Sequence, residues 1–167
     1  MDNMLANDAP GARSGQRADS AGVRIPPPLV FIAMYLIGWL VQSRIPAPFL
    51  PDPLAFALGG VLLAGWLALV ITSIPTMIRR GGTLNTAAPS SAVVTAGIYR
   101  VTRNPMYLSL ALLYLGVMCL TRMLWPLAFL PVALIYTQIT ILREERYLAR
   151  AFGSSYLAYK ERVRRWL

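Results

Sequence analysis

Histidine is absent from this chain of 167 residues, and cysteine occurs once, at Cys119. A single thiol excludes a disulfide within one chain. Without histidine the chain also lacks the commonest metal ligand and the usual general base. Zinc, haem and diiron chemistry are therefore disfavoured, and we expect no bound metal. Buried packing is the expected role of the thiol.

Charged residues are scarce as well, at 14% of the chain, whereas soluble domains carry about 25%. The mean hydropathy is +0.53. A spanning helix needs roughly 17–25 mostly apolar residues, and a chain this short cannot wrap polar surface around several such segments. The sequence therefore predicts an all-α, polytopic membrane protein with four transmembrane helices, the last two forming a helical hairpin. The four uncharged stretches run from Ile25 to Ser43, Pro53 to Met77, Asn104 to Thr121 and Met123 to Leu142.

Basic residues are distributed unequally across this four-span topology. With a cytoplasmic N-terminus, only Arg44 and Arg122 of the 16 fall on the far side. This asymmetry follows the positive-inside rule and predicts that both termini are cytoplasmic. We attribute the net charge of +9 to topology and contact with anionic lipid, not to nucleic acid. We expect a protein integral to a bacterial inner membrane. The cytoplasmic set is Arg13, Arg17, Arg24, Arg79, Arg80, Arg100, Arg103, Arg143, Arg146, Arg150, Lys160, Arg162, Arg164 and Arg165.

The chain divides into a polar tail and one membrane-embedded domain. Residues 1–24 have no apolar periodicity, which predicts a disordered cytoplasmic tail. Within the domain, residues 25–167, the short proline-rich connection from Arg44 to Asp52 predicts that the first two spans are antiparallel neighbours. The cytoplasmic loop over 78–103 exceeds the roughly 12–15 residues of most loops, and its apolar part predicts packing against the protein.

The C-terminal residues 143–167 predict cytoplasmic helices, with an interruption at Gly153. Beyond it Tyr156, Tyr159, Val163 and Trp166 recur at helical spacing and define one apolar face. A basic, aromatic, amphipathic helix at this place predicts a cytoplasmic interfacial helix. The pattern leaves open whether this helix only anchors the protein or also takes part in chemistry.

Asn104 and Pro105 mark the start of the third span. Asparagine is favoured at a helix cap, and proline suits the first helical position. The free N–H groups of this helix start, with Arg103 beside them, predict a site for a carboxylate or a phosphate. An ordinary cap next to a topology-setting arginine explains the same spacing, so the pattern alone does not decide.

Glu144 and Glu145 stand at the end of the fourth span, where the helix dipole disfavours negative charge. One explanation is a structural ion-pair cluster with Arg143 and Arg146. The other is that one carboxylate binds a cationic or hydroxyl-bearing ligand. With the apolar loop ahead of Tyr99, these groups offer an anion site, a carboxylate and aromatic walls. Those types match the carboxylate, sulfonium, ribose and adenine of S-adenosylmethionine.

Three elements occur in an order and at intervals that resemble the isoprenylcysteine carboxyl methyltransferase family, which belongs to a wider group with the phospholipid N-methyltransferases. They are Val93 to Tyr107, Glu144-Glu145 and Phe152 to Tyr159, and the resemblance covers roughly Gly81 to Trp166. It implies an integral membrane enzyme that methylates a lipophilic or lipid-anchored acceptor from S-adenosylmethionine.

The resemblance also implies roles for single residues. Glu144 lies where cofactor and acceptor meet and is, with Arg103, a candidate catalytic residue. In two places the chain departs from the family: Asn104 replaces a histidine, and Thr140 replaces an arginine that meets the substrate carboxylate in eukaryotic prenylcysteine enzymes. The second departure argues against a prenylated protein as substrate. The candidate cofactor-binding residues are Ser91, Val93, Val94, Gly97, Tyr99, Asn104, Pro105, Met106, Tyr107 and Glu145.

The kind of methyl acceptor stays open. A carboxylate acceptor needs no base, which suits a chain without histidine, whereas an amine acceptor must first lose a proton to a group such as Glu144 or Glu145. Two further alternatives are a membrane reductase of the steroid-reductase type and a non-catalytic four-span subunit. No dinucleotide-binding glycine fingerprint supports the reductase. The lack of acidic residues within the spans argues against a small multidrug exporter.

Overall fold

Four α-helices and one short 3-10 helix make up the computed structural model, which describes residues 25–81 and 93–167. β-sheet is absent from these residues, so the all-α prediction is confirmed. Outside the described residues lie the predicted tail over 1–24 and residues 82–92 of the loop over 78–103, which include the candidate Ser91. The helices are α1 (Pro27–Arg44), α2 (Asp52–Arg79), the 3-10 helix (Gly97–Arg100), α3 (Pro105–Thr121) and α4 (Trp125–Arg162).

Proline stands at the first or second position of all four described α-helices, where a missing N–H costs no helical hydrogen bond. α3 ends at Arg122 in the left-handed conformation, at φ 55° and ψ 38°. That residue reverses the chain toward α4. α4 itself is broken at Gly153, where φ is 51° and ψ is −128°, which confirms the predicted interruption.

Helices that are neighbours in space are not always neighbours in sequence. α3 packs along α2, and α4 packs along α1, whereas α1 and α2 hardly approach each other. The prediction that the first two spans are antiparallel neighbours is therefore wrong. Their connection over 45–51 contains Pro46, Pro48 and Pro51. A proline-rich chain of this length extends over roughly 20 Å, enough to join helices that do not touch. In the predicted hairpin, the backbones of α3 and α4 also come close at few positions.

Glycine permits the close approach within each packed pair. A Cβ at Gly38 of α1 would lie 2.5 Å from the Cα of Pro126 in α4, and one at Gly116 of α3 would lie 2.8 Å from Leu63 in α2. Both distances are too short for any side chain. In α2, Gly59 meets α3 in the same way, whereas Gly60 faces open space. Some of the small residues of α2 thus permit close packing and others do not.

The apolar core joins α1, α3 and α4 around Tyr114. Its ring packs edge-on against Phe31 and Tyr35, with centroids 5.9 and 5.4 Å apart. The Tyr114 hydroxyl donates a 2.7 Å hydrogen bond to the carbonyl of Pro126. That bond satisfies the phenol in an apolar setting and ties α3 to the start of α4. Leu130 completes this core.

The outer surface of the helices is apolar. α2 and α4 are long and apolar enough to cross a membrane, and only 11% of the most apolar stretch of α2 is buried inside the protein. α3 is a shorter apolar helix. Large exposed side chains such as Ile32, Val61, Ile71 and Ile135 continue this surface. An apolar surface of this extent marks a protein that contacts lipid or partners, and it suits a membrane-associated protein. That all four helices cross the membrane stays a prediction.

The aromatic face at the end of α4 turns inward. Tyr156 and Tyr159 are buried, and Val163 and Trp166 are half-buried. Tyr159 donates a 2.7 Å hydrogen bond to the carbonyl of Tyr99, and the Trp166 indole donates one to Gln138. The aromatic face therefore covers the protein's own polar groups, and the interfacial position of the helix itself stays a prediction.

Candidate active site at the start of α3

The C-terminal segment, defined here as residues 163–167, pairs with the chain that enters α3. The Arg103 N–H donates to the carbonyl of Arg164 at 3.0 Å, and Thr102 forms a parallel bridge with Arg164. The Arg165 carbonyl accepts hydrogen bonds from the Thr102 hydroxyl at 3.2 Å and the Asn104 amide at 3.0 Å. Two segments far apart in sequence thus pair side by side at the start of α3.

Asn104 occupies the cap position of α3, but its side chain makes no capping hydrogen bond. The amide reaches the Arg165 carbonyl instead, and Pro105 is buried behind it. The expected side-chain cap is therefore wrong. The Asn104 amide instead binds the C-terminal segment.

Glu145 is the centre of an ion-pair cluster, defined here as Arg103, Glu145, Lys160 and Arg165. The Arg103 Nη1 lies 3.0 Å from Glu145 Oε1, and the two side chains are 9% and 7% exposed. Arg165 binds the same carboxylate through two nitrogens, each at 2.9 Å. The Lys160 Nζ is 3.8 Å away. Three cations therefore surround one carboxylate, which leaves a surplus of positive charge.

This cluster determines the ionisation of Glu145. Burial alone would raise the pKa of Glu145, but the hydrogen bond from Arg165 and the charges of Arg103, Arg165 and Lys160 outweigh it. The pKa of Glu145 therefore lies below its ordinary value, and the group is a permanent anion. The structural cluster considered from sequence does form, but with these three partners and not with Arg143 and Arg146.

Glu144 has the opposite surroundings. Adjacent helical residues point about 100° apart, so Glu144 faces α3, where its Oε1 accepts a 2.6 Å hydrogen bond from the Tyr107 hydroxyl. Burial raises the pKa of Glu144 to about 7, although the bond from Tyr107 lowers it. At neutral pH this carboxyl group exchanges a proton easily. Two consecutive glutamates thus provide one fixed charge and one group that titrates.

The 3-10 helix separates two surfaces. Three residues per turn place positions three apart on one face. Tyr99 and Thr102 are buried, Tyr99 against Tyr159 of α4 and Thr102 against the C-terminal segment. Ile98 and Val101 instead line an open groove of ≈ 640 Å³ against the end of α2. Gly97 begins this helix at φ 59°, where a Cβ would meet the Thr76 hydroxyl at 3.2 Å.

Two buried polar atoms at this site have no hydrogen-bond partner among the described residues, the Tyr99 hydroxyl and the Arg103 Nε. Burial raises the pKa of Tyr99 to about 12, so its phenol stays a neutral donor. An unpaired buried donor costs about 1–3 kcal/mol. Both groups fit a ligand that presents acceptor atoms, and the surplus charge of the ion-pair cluster fits an anionic one.

The other candidates divide by position. Val94 is buried, and Val93 and Met106 are half-buried. Thr140 is buried and donates to the Tyr136 carbonyl within its own helix. It offers no cation for a substrate carboxylate. Direct contacts join Arg103, Asn104 and Glu145 through Arg165, and join Tyr107 to Glu144.

Sequence reasoning missed Arg165, Lys160 and the inward role of Tyr156. The hydroxyl of Tyr156 accepts a 3.4 Å contact from Arg103 Nη1, and all three residues were assigned to topology or anchoring. The helical spacing of Tyr156, Tyr159, Val163 and Trp166 was visible, but nothing local indicated which surface this face would meet.

Comparison with known proteins now adds the family. Residues 54–155, more than half of the chain, match the model of the phospholipid methyltransferase family. An uncharacterized protein of Haemophilus influenzae is 44% identical over 63 residues, which make up 37% of this chain and all of that protein. No solved structure matches the chain. On the family match, the chain belongs to the phospholipid methyltransferase family of membrane methyltransferases.

Proposed function

We propose that this protein is an integral membrane methyltransferase that uses S-adenosylmethionine and acts on an amine or carboxylate acceptor carried in the lipid phase. The observation that carries the proposal is the family match over residues 54–155, which includes every candidate site residue from Ser91 to Glu145. The buried unpartnered donors and the cationic cluster support the cofactor. The exposed apolar surfaces of α2 and α4 support lateral access from lipid.

S-adenosylmethionine, when bound, supplies a methyl group on a sulfonium for in-line transfer. Arg103 would bind the cofactor's carboxylate with the guanidinium donors that Glu145 does not take up, and the Tyr99 hydroxyl would donate to an acceptor atom of the cofactor. Glu145 holds Arg103 in place. The C-terminal segment and Tyr156 exclude water from this side, so the polar contacts act in a low dielectric.

Glu144 receives the proton that an amine acceptor must lose before its nitrogen lone pair attacks. With a pKa of about 7, its carboxylate is present at neutral pH and is basic enough to accept that proton. Tyr107 fixes the orientation of the carboxyl group through the 2.6 Å bond. A carboxylate acceptor requires no such transfer, and Glu144 then only helps to orient the reactants.

We place both termini in the cytoplasm, with the site at the cytoplasmic end of four spans. The basic residues near the site, such as Arg79, Arg100 and Arg162, support this orientation. Cysteine accessibility to a membrane-impermeant reagent in intact cells tests it. We expect the reagent to modify Pro48→Cys, between α1 and α2, and not Arg162→Cys. The reverse pattern overturns the orientation.

The first test is calorimetric binding of S-adenosylhomocysteine to the purified protein in detergent and in lipid nanodiscs, alongside Arg103→Ala and Glu144→Gln. We expect micromolar affinity that each substitution weakens by tenfold or more, about 1.4 kcal/mol. Exposed Arg100→Ala is the matched control and should bind as the wild type. Absence of binding by folded wild-type protein in lipid contradicts the proposal, and a response to NADPH instead favours a reductase.

The acceptor is identified by transfer of a labelled methyl group. Vesicles that contain phosphatidylethanolamine supply an amine, and a long-chain fatty acid or prenylcysteine analogue supplies a carboxylate. Alkali releases the label from a methyl ester as methanol but leaves an N-methyl group intact. Label in neither class, with confirmed cofactor binding, contradicts the proposed amine or carboxylate acceptor and leaves only the cofactor part of the proposal.

A further inference from the structure

We propose that Arg165, in the C-terminal segment beyond the matched range 54–155, is a positioning residue of the cofactor site. It acts through Glu145 by taking up that carboxylate, so that Arg103 keeps binding capacity for the cofactor's carboxylate. This inference rests on the proposed function. It extends the cofactor site to a part of the chain that the family match over residues 54–155 does not cover.

The charge balance around Glu145 gives the first reason. Arg165 occupies both carboxylate oxygens at 2.9 Å, whereas Arg103 reaches only Oε1 through Nη1. A bidentate arginine is the stronger partner of a carboxylate. Without Arg165, only Arg103 and the more distant Lys160 would neutralise that carboxylate, and Arg103 would form a closed pair with it instead of keeping an unused donor. The Nε of Arg103, which is buried and has no hydrogen-bond partner among the described residues, is that unused donor.

Backbone contacts give the second reason. The Arg165 carbonyl accepts from both Thr102 and Asn104, on either side of Arg103, and the neighbouring Arg164 carbonyl accepts the Arg103 N–H. Arg103 is therefore held at its backbone by the same segment that neutralises its side-chain partner. A side-chain substitution at position 165 leaves these backbone carbonyls in place. The effect of the Arg165 charge on Glu145 can thus be separated from the backbone contacts that hold Arg103.

Arg164 provides a matched control. It is the adjacent arginine of the same segment, and its side chain is exposed. Arg164→Ala removes one positive charge with the same effect on topology and on anionic lipid as Arg165→Ala. Any difference between the two variants therefore reports the contact with Glu145.

The test measures S-adenosylhomocysteine affinity by calorimetry and the melting temperature for the full-length wild type, Arg164→Ala, Arg165→Ala, Arg165→Lys and the double variant Arg165→Ala/Glu145→Gln. We expect Arg165→Ala to weaken affinity at least tenfold and Arg164→Ala to stay within twofold. Arg165→Lys keeps the charge without the fork and should be intermediate. Removing the Glu145 charge frees Arg103 again, so the double variant should regain at least threefold over Arg165→Ala.

A merely structural role predicts further loss in the double variant, and that result overturns the inference. Equal affinities of Arg165→Ala and the wild type also overturn it while leaving the proposed function intact. Failure of the wild type to bind instead refutes the proposed function. If Arg165→Ala does not fold, the comparison passes to Arg165→Lys with and without Glu145→Gln, for which the same order of affinities is expected.

Discussion

Arginine-carboxylate pairs stand at both ends of α3, and they differ in almost everything except chemistry. At the start, Arg103 and Glu145 are 9% and 7% exposed, and two further cations join them. At the other end, Arg122 binds Asp52 through both carboxylate oxygens at 2.8 and 2.9 Å, but the two side chains are 52% and 59% exposed.

The difference in burial predicts that the Arg103–Glu145 pair contributes much more to stability than the Arg122–Asp52 pair. An exposed pair gains little because water and salt screen it, and it contributes at most about 1 kcal/mol. A buried charge that loses its partner costs about 3–5 kcal/mol. The buried cluster is also imperfectly matched, with three cations to one anion and an unpaired Nε. Such a mismatch is better suited to binding a ligand than to stabilising the fold.

The largest effect is expected from Glu145→Ala. It leaves buried Arg103 and half-buried Arg165 without their carboxylate partner, and it should lower the free energy of unfolding by about 3 kcal/mol. Denaturant titration in bicelles measures this change. Glu161→Ala, at an exposed carboxylate of the same helix, should change stability by less than about 0.5 kcal/mol. Equal effects of the two substitutions would remove the distinction drawn above.

Glu144→Gln should reduce turnover of an amine acceptor about a hundredfold, because it removes the group that accepts the proton. The wild-type rate should rise as pH increases through about 7, where the Glu144 carboxylate forms. Glutamine should abolish that rise. Steady-state rates between pH 5.5 and 8.5 measure both effects. A flat wild-type profile with full activity indicates a carboxylate acceptor.

The free energy of unfolding should fall as pH rises through about 7, whereas the rate rises. Folding raises the pKa of Glu144 from 4.5 to about 7, so the folded protein binds this proton more tightly than the unfolded chain does. The contribution is complete below about pH 4.5 and is lost as pH rises through about 7. The wild type should therefore lose stability relative to Glu144→Gln over this window. Melting temperatures of both proteins across the range test this prediction.

Tyr107→Phe should have a smaller effect. The hydroxyl stabilises the charged form of Glu144 through the 2.6 Å bond, and its loss should move the midpoint of the rate profile to higher pH. The maximal rate should fall only a few-fold, because the base itself remains. An unchanged midpoint would mean that the bond does not persist in the working enzyme.

The smallest effect is expected at the exposed pair. Asp52→Asn and Arg122→Ala should each change the free energy of unfolding by less than about 1 kcal/mol. The difference from wild type should shrink further as salt is raised from 0.05 to 0.5 M, because salt screens exposed charges. S-adenosylhomocysteine affinity should be unchanged. A loss comparable to that of Glu145→Ala would show that exposure does not distinguish the two ends.

The helices were readable from sequence because their causes are local. Uncharged runs, proline at the first turn and glycine at position 153 act within a few residues, and the helices begin and end close to the predicted bounds. Helix pairing could not be predicted, because no residue of the connection around Pro46 and Pro48 determines whether α2 packs against α1. Complementary surfaces decide pairing: Gly38 against Pro126, and Gly116 against Leu63.

The candidate site shows the same division. Arg103, Asn104, Glu144 and Glu145 were identified from their residue types and spacing, and the family match supports that identification. Arg165 was not identified, because its partner lies 20 positions away and no periodic pattern connects them.

By itself, the sequence determined an all-helical, lipid-compatible chain of the methyltransferase family, because hydropathy, caps and motifs are properties of short segments. Only the tertiary structure decided which glutamate is a fixed anion and which titrates. Glu144 and Glu145 are chemically identical neighbours, and a 100° rotation along α4 directs one toward Tyr107 and the other toward three cations. Burial and charge act through space, and only the packed fold determines which charges are near.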